Sequence, residues 1–179
     1  IMDIPAVPAE AKPALRDRQS ERDHRQLRIN KVGVRGLRFP IQVRDKSHET
    51  QNTVATIGMF VDLPEEFKGT HMSRFIEALN AHGDIIHVEN IADILQSLRR
   101  RLHASTSHIE IEFPFFRVKK APATGKEAVM DYVARFDAAA CGEEMDFVLT
   151  VKVNVTTLCP CSKAIARYGA HNQRGEVTV

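Results

Sequence analysis

Apolar residues recur at every second position through TVATIGMFVDL, residues 53–63, placing Ile57, Met59, Val61 and Leu63 on one face and predicting a half-buried strand. The period then changes. In KGTHMSRFIEALNAHG, residues 68–83, Met72, Phe75, Ile76 and Leu79 fall at i, i+3, i+4 and i+7. That spacing predicts a helix with one apolar stripe, which Gly83 can end. A second helix is predicted from Ile91, Ile94, Leu95, Leu98 and Leu102, with Asn90 placed to cap it and Asp93 in its first turn. Alternation returns in SHIEIEFPFF, where Ile109, Ile111 and Phe113 point inward, and in AVMDYVARFDA. It is clearest in DFVLTVKVNV, where Phe147, Leu149, Val151, Val153 and Val155 share a face. LRFPIQVRD, residues 37–45, predicts one further strand.

Long strands joined by short turns, with two helices between them, predict an α+β fold: an antiparallel sheet carrying the helical pair on one face. The sheet is expected to end at about Thr157. A chain of 179 residues suits one domain or one and a half. At that length about 70% of the unfolded surface can be buried, so a core needs no covalent staples. The sequence shows no internal repeat, no glycine-rich phosphate loop and no low-complexity tract beyond its N-terminal arm.

Charge narrows the function classes. The net charge is +2, too balanced for a nucleic-acid binder, which would cluster Lys and Arg among aromatics. The one dense basic run, Arg99, Arg100 and Arg101, reads as the solvated face of a helix. No apolar stretch approaches the roughly 20 residues that span a bilayer. The first 26 residues hold three prolines and then a charged run, without the basic-then-apolar order of a secretion signal. Residues 1–27 are therefore expected to form a mobile arm, and the cytoplasm is the expected location. Thiols stay reduced there, three cysteines make no disulfide framework, and Cys159 and Cys161 are too close to bridge comfortably.

The stretch LCPCSKAIARYGAHNQRG, residues 158–175, holds the candidate chemistry. Thiolate and imidazole are borderline-soft ligands for zinc, iron or manganese-class ions. Cys159 leaves the strongest predicted strand, Pro160 stiffens the turn, and SKAIARYG suits about two helical turns ended by Gly169. Such a helix would fold the chain back and bring His171 towards Cys159. A C-P-C turn can equally be mere packing, and the spacing is not that of a zinc finger. Cys141, between Ala140 and Gly142, reads as part of a turn with no assigned role. His71 opens the first predicted helix behind KGT, where free backbone N–H groups favour anions; a surface helix start is the plainer reading.

KGTHMSRF at 68–75 and LCPCSK…YGAHNQRG at 158–175 together resemble the type IB GTP cyclohydrolases, the prokaryotic first enzyme of folate synthesis. The resemblance covers about residues 28–179. It implies a tunnelling fold, in which two strands, two helices and two more strands form one module. Two modules would occupy each subunit of a homotetramer, with residues 28–158 as the first and 159–179 opening the second. It implies hydrolysis of GTP to 7,8-dihydroneopterin triphosphate and formate with one divalent ion per site, zinc, manganese or iron. By the same likeness Cys159 and His171 bind the metal and act in catalysis, and Cys161 either relays protons or packs against the sheet. His71, Ser73 and Arg74 acquire a substrate-side role, since a hydroxyl, a cation and a helix start suit a polyphosphate.

Proteins of that family continue for roughly another half-module, which would carry the remaining metal ligands and the glutamate that grips the guanine. Glu176 does not replace it, and an alternating strand pattern is still running at Val179, so the site is expected to be incomplete within these residues. Two other classes stay open. Cys159, Cys161 and His171 could hold a structural zinc given a fourth ligand. A tunnelling-fold relative could instead use its cysteine as a covalent nucleophile, as the nitrile-reducing queuosine enzymes do.

Overall fold

Alternation along residues 53–63 decides how the molecule is layered. The computed structural model describes residues 19, 21–46, 49–83 and 86–179. Strand β1 (Ile29–Asp45) turns into β2 (Glu49–Leu63), and helix α1 (Met72–Asn80) follows. A short strand β3 (Ile86–His87) and a 3-10 turn (Val88–Asn90) lead into α2 (Ile91–Leu102). Three long strands come next: β4 (Thr106–Lys120), β5 (Glu127–Cys141) and β6 (Glu144–Leu158). Helix α3 (Pro160–Ile165) and strand β7 (Asn172–Thr178) complete the order. All seven strands join one sheet in the order β3-β1-β2-β4-β5-β6-β7.

One face of that sheet carries the core. Ile57, Met59 and Val61 of β2, Ile109, Ile111 and Phe113 of β4, and Ala134 and Ala138 of β5 meet Phe75 and Leu79 of α1. Ile91, Ile94, Leu95 and Leu98 of α2 close the layer. The α+β reading and the helical pair on one face are therefore present. Inside this layer the Ser107 hydroxyl, fully buried, donates to the Leu95 carbonyl at 3.0 Å. Asp62, 3% exposed, accepts from the Thr106 amide at 2.7 Å and from its hydroxyl at 3.1 Å, fastening the end of β2 to the start of β4.

Several expectations need correction. The sheet is not wholly antiparallel: β3 pairs parallel with β1 through Ile41↔Ile86 and Gln42↔His87. The chain returning from α1 to α2 passes along β1 and supplies part of its open edge with partners. β1 begins eight residues before the predicted strand, at Ile29 rather than Leu37. Register shifts between Ile29 and Val32 and between Val34 and Leu37 change the phase of alternation. Val32 and Val34, then Leu37 and Phe39, consequently pack on the same core, and a strict period of two cannot see it. Gly33 lies at the close approach this requires, where an added Cβ would sit 1.9 Å from the Met59 carbonyl oxygen.

In α1 the buried stripe is Phe75, Ala78 and Leu79, while Met72 and Ile76 are exposed at its outer side. Asn90 makes no capping bond with its side chain, because the 3-10 turn runs straight into α2 and the Ile91 amide already has the Val88 carbonyl. The arginine triplet is only partly solvated. Arg99 donates to the Gly142 carbonyl at 2.6 Å and so pins the end of α2 to the β5–β6 turn. Of the expected N-terminal arm, residues 1–18 and 20 lie outside the described residues. Residues 21–25 are tied to the loop after β2: the Asp23 amide donates to the Glu66 carbonyl at 2.9 Å, and the Lys68 ammonium meets Glu21 at 3.0 Å.

The largest departure lies in β6. Phe147, Leu149, Val151, Val153 and Val155 do share the helix-side face, continuing the surface of β5 through Phe136↔Leu149 and Ala134↔Val151. That face is nevertheless open, with Phe147 44% and Leu149 52% exposed. The helical pair packs mainly on β2, β4 and β5.

Candidate active site

Residues 158–172 leave the sheet and return to the same place. Leu158 of β6 pairs with Asn172 of β7, and the Thr157 hydroxyl donates to the Gln173 carbonyl at 3.2 Å. Between them the Cys159 amide donates to the His171 carbonyl at 3.4 Å, closing the turn at its neck. The structure thus brings Cys159 and His171 together as neighbours at the end of one strand pair. Gly169, at φ 137°, makes the bend back into β7, a conformation that side chains with a Cβ rarely adopt.

Cys159 takes the position just before α3, with extended φ and ψ of −72° and 113°, and Pro160 occupies the first helical position, where its missing N–H costs nothing. The Lys163 amide donates to the Cys159 carbonyl at 3.0 Å, and the Ser162 amide donates to Cys159 Sγ at 3.5 Å. A cysteine sulfur is therefore acting where a serine or aspartate oxygen usually caps a helix. The Ser162 amide, followed by its side chain, holds the Cys159 thiol below its ordinary value, against a small opposing effect of burial. Weaker hydrogen bonds from the Cys161 amide and thiol act in the same direction. This environment favours thiolate, the form that binds metals and attacks electrophiles.

The helix is shorter than SKAIARYG predicted. It starts at Pro160 and ends at Ile165, with Ala166 already extended, so Arg167–Ala170 form a bend rather than a second turn. α3 buries none of its residues. Cys161 is accordingly exposed rather than packed on the sheet. An open hollow beside α3 is lined by Ser162, Ile165, Ala166, Tyr168, Gly169 and His171. Tyr168 and Ile165 are 88% and 89% exposed, and the Arg167 guanidinium lies 5.1 Å from the Tyr168 ring centre.

His71, Ser73 and Arg74 lie elsewhere. His71 precedes the first turn of α1, as expected, half-buried and without capping the helix by its side chain. Ser73 is exposed, and Arg74 donates to the Arg101 carbonyl at the end of α2 at 3.0 Å. Register fixes which end of the sheet this is. The end of β2 pairs with the start of β4, and Thr106 pairs with Cys141. Cys141 in turn pairs with Glu144, the start of β6. Cys159 follows the far end of that 15-residue strand, on the order of 45 Å away at about 3.3 Å per residue. Cys159 and His171 are assembled within the chain; the α1 residues are not part of the same cluster. Among the described residues no three His, Cys, Asp or Glu side chains gather as a metal site. The Ser162 amide is the contact missed from sequence, though Cys-Pro-x-Ser at a predicted helix start carried the capping pattern.

The family model described as type I GTP cyclohydrolase folE2 matches residues 15–179. The chain belongs to that family. A GTP cyclohydrolase FolE2 of Akkermansia muciniphila is 61% identical over 166 residues, 92% of this chain and 63% of that protein. Those of Fervidobacterium nodosum and Geobacter metallireducens are each 52% identical, over 92% and 91% of the chain. The chain spans 62–63% of the length of these curated relatives. Both candidate clusters, at 71–74 and 159–171, fall inside the matched folE2 span.

Proposed function

We propose that the full-length protein hydrolyses GTP to 7,8-dihydroneopterin triphosphate and formate in the cytoplasm, the first step of tetrahydrofolate synthesis. The observation that carries the reading is the folE2 match across residues 15–179, with Cys159 and His171 held side by side at the β6–β7 neck. One soft donor kept acidic and one imidazole suit half of a mixed coordination sphere for zinc, manganese or iron. A divalent ion held there would make a water nucleophilic at neutral pH, which attack on C8 of the purine requires. The chain's own residues supply the rest: Cys159 as anionic donor, His171 as second donor, and an imidazole or the Cys161 thiol to pass a proton to the ring nitrogen as the C8–N bond breaks.

His71, Ser73 and Arg74 serve as substrate contacts in this reading only if a second subunit brings its α1 to the Cys159 end of the first. That supports a homotetramer with sites at subunit boundaries, built as tunnelling-fold barrels by joining open sheet edges such as β7. Two strands, two helices and two strands are complete at Cys141, so β6 and β7 fit the opening of a second module. A structural zinc held by Cys159, Cys161 and His171 has no fourth donor among the described residues.

The test is the full-length protein with GTP and zinc, manganese or iron, read by pterin fluorescence and formate release. Absence of both with every ion would overturn the reading. Subunit sharing is tested separately: Cys159→Ala and Arg74→Ala proteins, each inactive alone, should regain activity when dissociated and reassembled together.

A further inference from the structure

β4 and β5 outrun their neighbours. β2 pairs with β4 only as far as Thr56↔Glu112, and β6 with β5 only as far as Val133↔Lys152, yet β4 and β5 stay paired to Lys120↔Glu127. The side chains of Thr53 and Gln51 hold the last shared points, donating to the Pro114 and Phe116 carbonyls at 2.9 and 3.0 Å. Beyond them residues 117–131 form a two-stranded arm with no other strand beside it among the described residues. A ribbon of two strands is marginally stable in water by itself. This one also exposes Val118, Val129 and Met130, Val129 to 67%. It carries Arg117, Lys119, Lys120 and Lys126 against only Glu127 and Asp131. Lys120 pairs with Glu127 at 3.2 Å and Lys119 lies over the Tyr132 ring, whereas Arg117 and Lys126 meet no carboxylate among the described residues.

The other end of β5 has the opposite character. The β5–β6 turn presents Glu143, Glu144 and Asp146, exposed and without ion pairs among the described residues, around the exposed Met145. The sequence holds no Lys, Arg or His from Phe136 to Val151. Arg99 reaches this turn through the Gly142 carbonyl, which leaves the carboxylates unpaired. Arm and turn cannot meet within one chain, since the 15 residues of β5 hold them roughly 45 Å apart at about 3.3 Å per residue. We propose that the arm of one copy docks on the β5–β6 turn of a second, with Arg117 and Lys126 against Glu143, Glu144 and Asp146, the strands of the two copies running antiparallel. A two-fold axis makes this contact twice, because each copy offers one arm and one turn. Val118 and Val129 on the arm and Met145 on the turn supply apolar surface for it to cover. The same alignment completes the site. Arg74 is fastened to the Arg101 carbonyl, and Arg99 to the turn, so α1 travels with the turn. A second copy seated on the arm therefore brings its α1 to the Cys159 end of the first, where β6 leaves the sheet.

The contact itself does not rest on the GTP reading, and its test reads mass rather than turnover. In the full-length protein, Arg117→Glu with Lys126→Glu reverses the arm, and Glu143→Lys with Glu144→Lys reverses the turn. Neither change breaks an ion pair among the described residues. Each variant alone should meet only like charge and dissociate at about tenfold higher protein concentration than the unsubstituted protein, read by analytical ultracentrifugation. Mixed in equal amounts, the two should associate again, because reversed arm then meets reversed turn and native arm meets native turn. Added salt should weaken association of the unsubstituted protein and of the mixture alike. Far-UV circular dichroism checks that both variants fold, and Arg117→Gln with Lys126→Gln tests the dissociation if the reversed arm does not. A monomeric unsubstituted protein, variants that associate as it does, or variants that dissociate and stay apart on mixing would each overturn the proposal. Recovered association in a protein that hydrolyses no GTP would leave this contact standing and remove only the GTP reading.

Discussion

A sulfur atom in the place of a capping oxygen is the smallest feature with the largest consequence. Cys159 accepts the Ser162 amide, and that bond is what makes its ionised form favourable. The ordinary value is 9.0 and the shift is downward, so the thiolate gains relative to an unfolded chain and persists to lower pH. The sign follows: reactivity of Cys159 towards iodoacetamide should extend below the range where an ordinary cysteine falls off, and it should be lost as pH drops through the lowered value. Ser162→Pro removes the donating N–H at a position where the first turn tolerates proline, and should move the alkylation midpoint upward. Ser162→Ala keeps the amide and should shift it less. In the full-length enzyme Cys159→Ala should abolish turnover and weaken metal binding with the fold intact, and Cys161→Ala should be milder. Near-normal turnover in the first variant would remove Cys159 from the site.

At the scale of elements, the long strands depend on a few points where regular pairing is broken or pinned. β1 keeps one face on the core across two register shifts, and Gly33, paired with Phe60 between them, passes within reach of the β2 backbone. Gly33→Ala should cost about 1–3 kcal/mol, because the neighbour in the way is a carbonyl rather than a flexible side chain. Leu98→Ala, in the middle of the α2 stripe and fully buried, should cost about 2–5 kcal/mol. Met72→Ala, on the outer side of α1, should change stability by less than about 0.5 kcal/mol. Urea unfolding with an unchanged slope measures all three. An equal loss at Met72 and Leu98 would show that α1 packs differently.

The whole molecule is asymmetric. One half is a covered α/β layer; the other, β6 and β7, presents Phe147, Leu149, Val151 and Val177 with no helix over them among the described residues. Between the halves a cleft of about 680 Å³ opens over Phe115, Tyr132, Phe136 and Val153. Exposed apolar surface of this extent drives association. Residues 1–179 alone should therefore bind a hydrophobic dye strongly, self-associate by light scattering, and turn over no GTP. Leu149→Ser should lower dye binding without loss of secondary structure. Weak dye binding by the unsubstituted chain would mean that this face is covered.

Periodicity along the chain was enough to determine β2, β4, β5, β6 and the two core helices, because each is long and carries its own apolar repeat. It also marked Cys159 and His171, since the strand before them and the glycine between them dictate a short return. Tertiary structure decided what a local period cannot contain. The phase change in β1 depends on pairing with β2, and α3 stops at Ile165 with Tyr168 left exposed beyond it. The same limit applies to β6, whose alternation reads as buried although no helix covers it among the described residues: apolar spacing says which side chains share a face, and only the packing of distant elements says whether that face meets water. The separation of His71, Ser73 and Arg74 from Cys159 has this cause too, because strand direction and register, not distance along the chain, place them at opposite ends of one sheet.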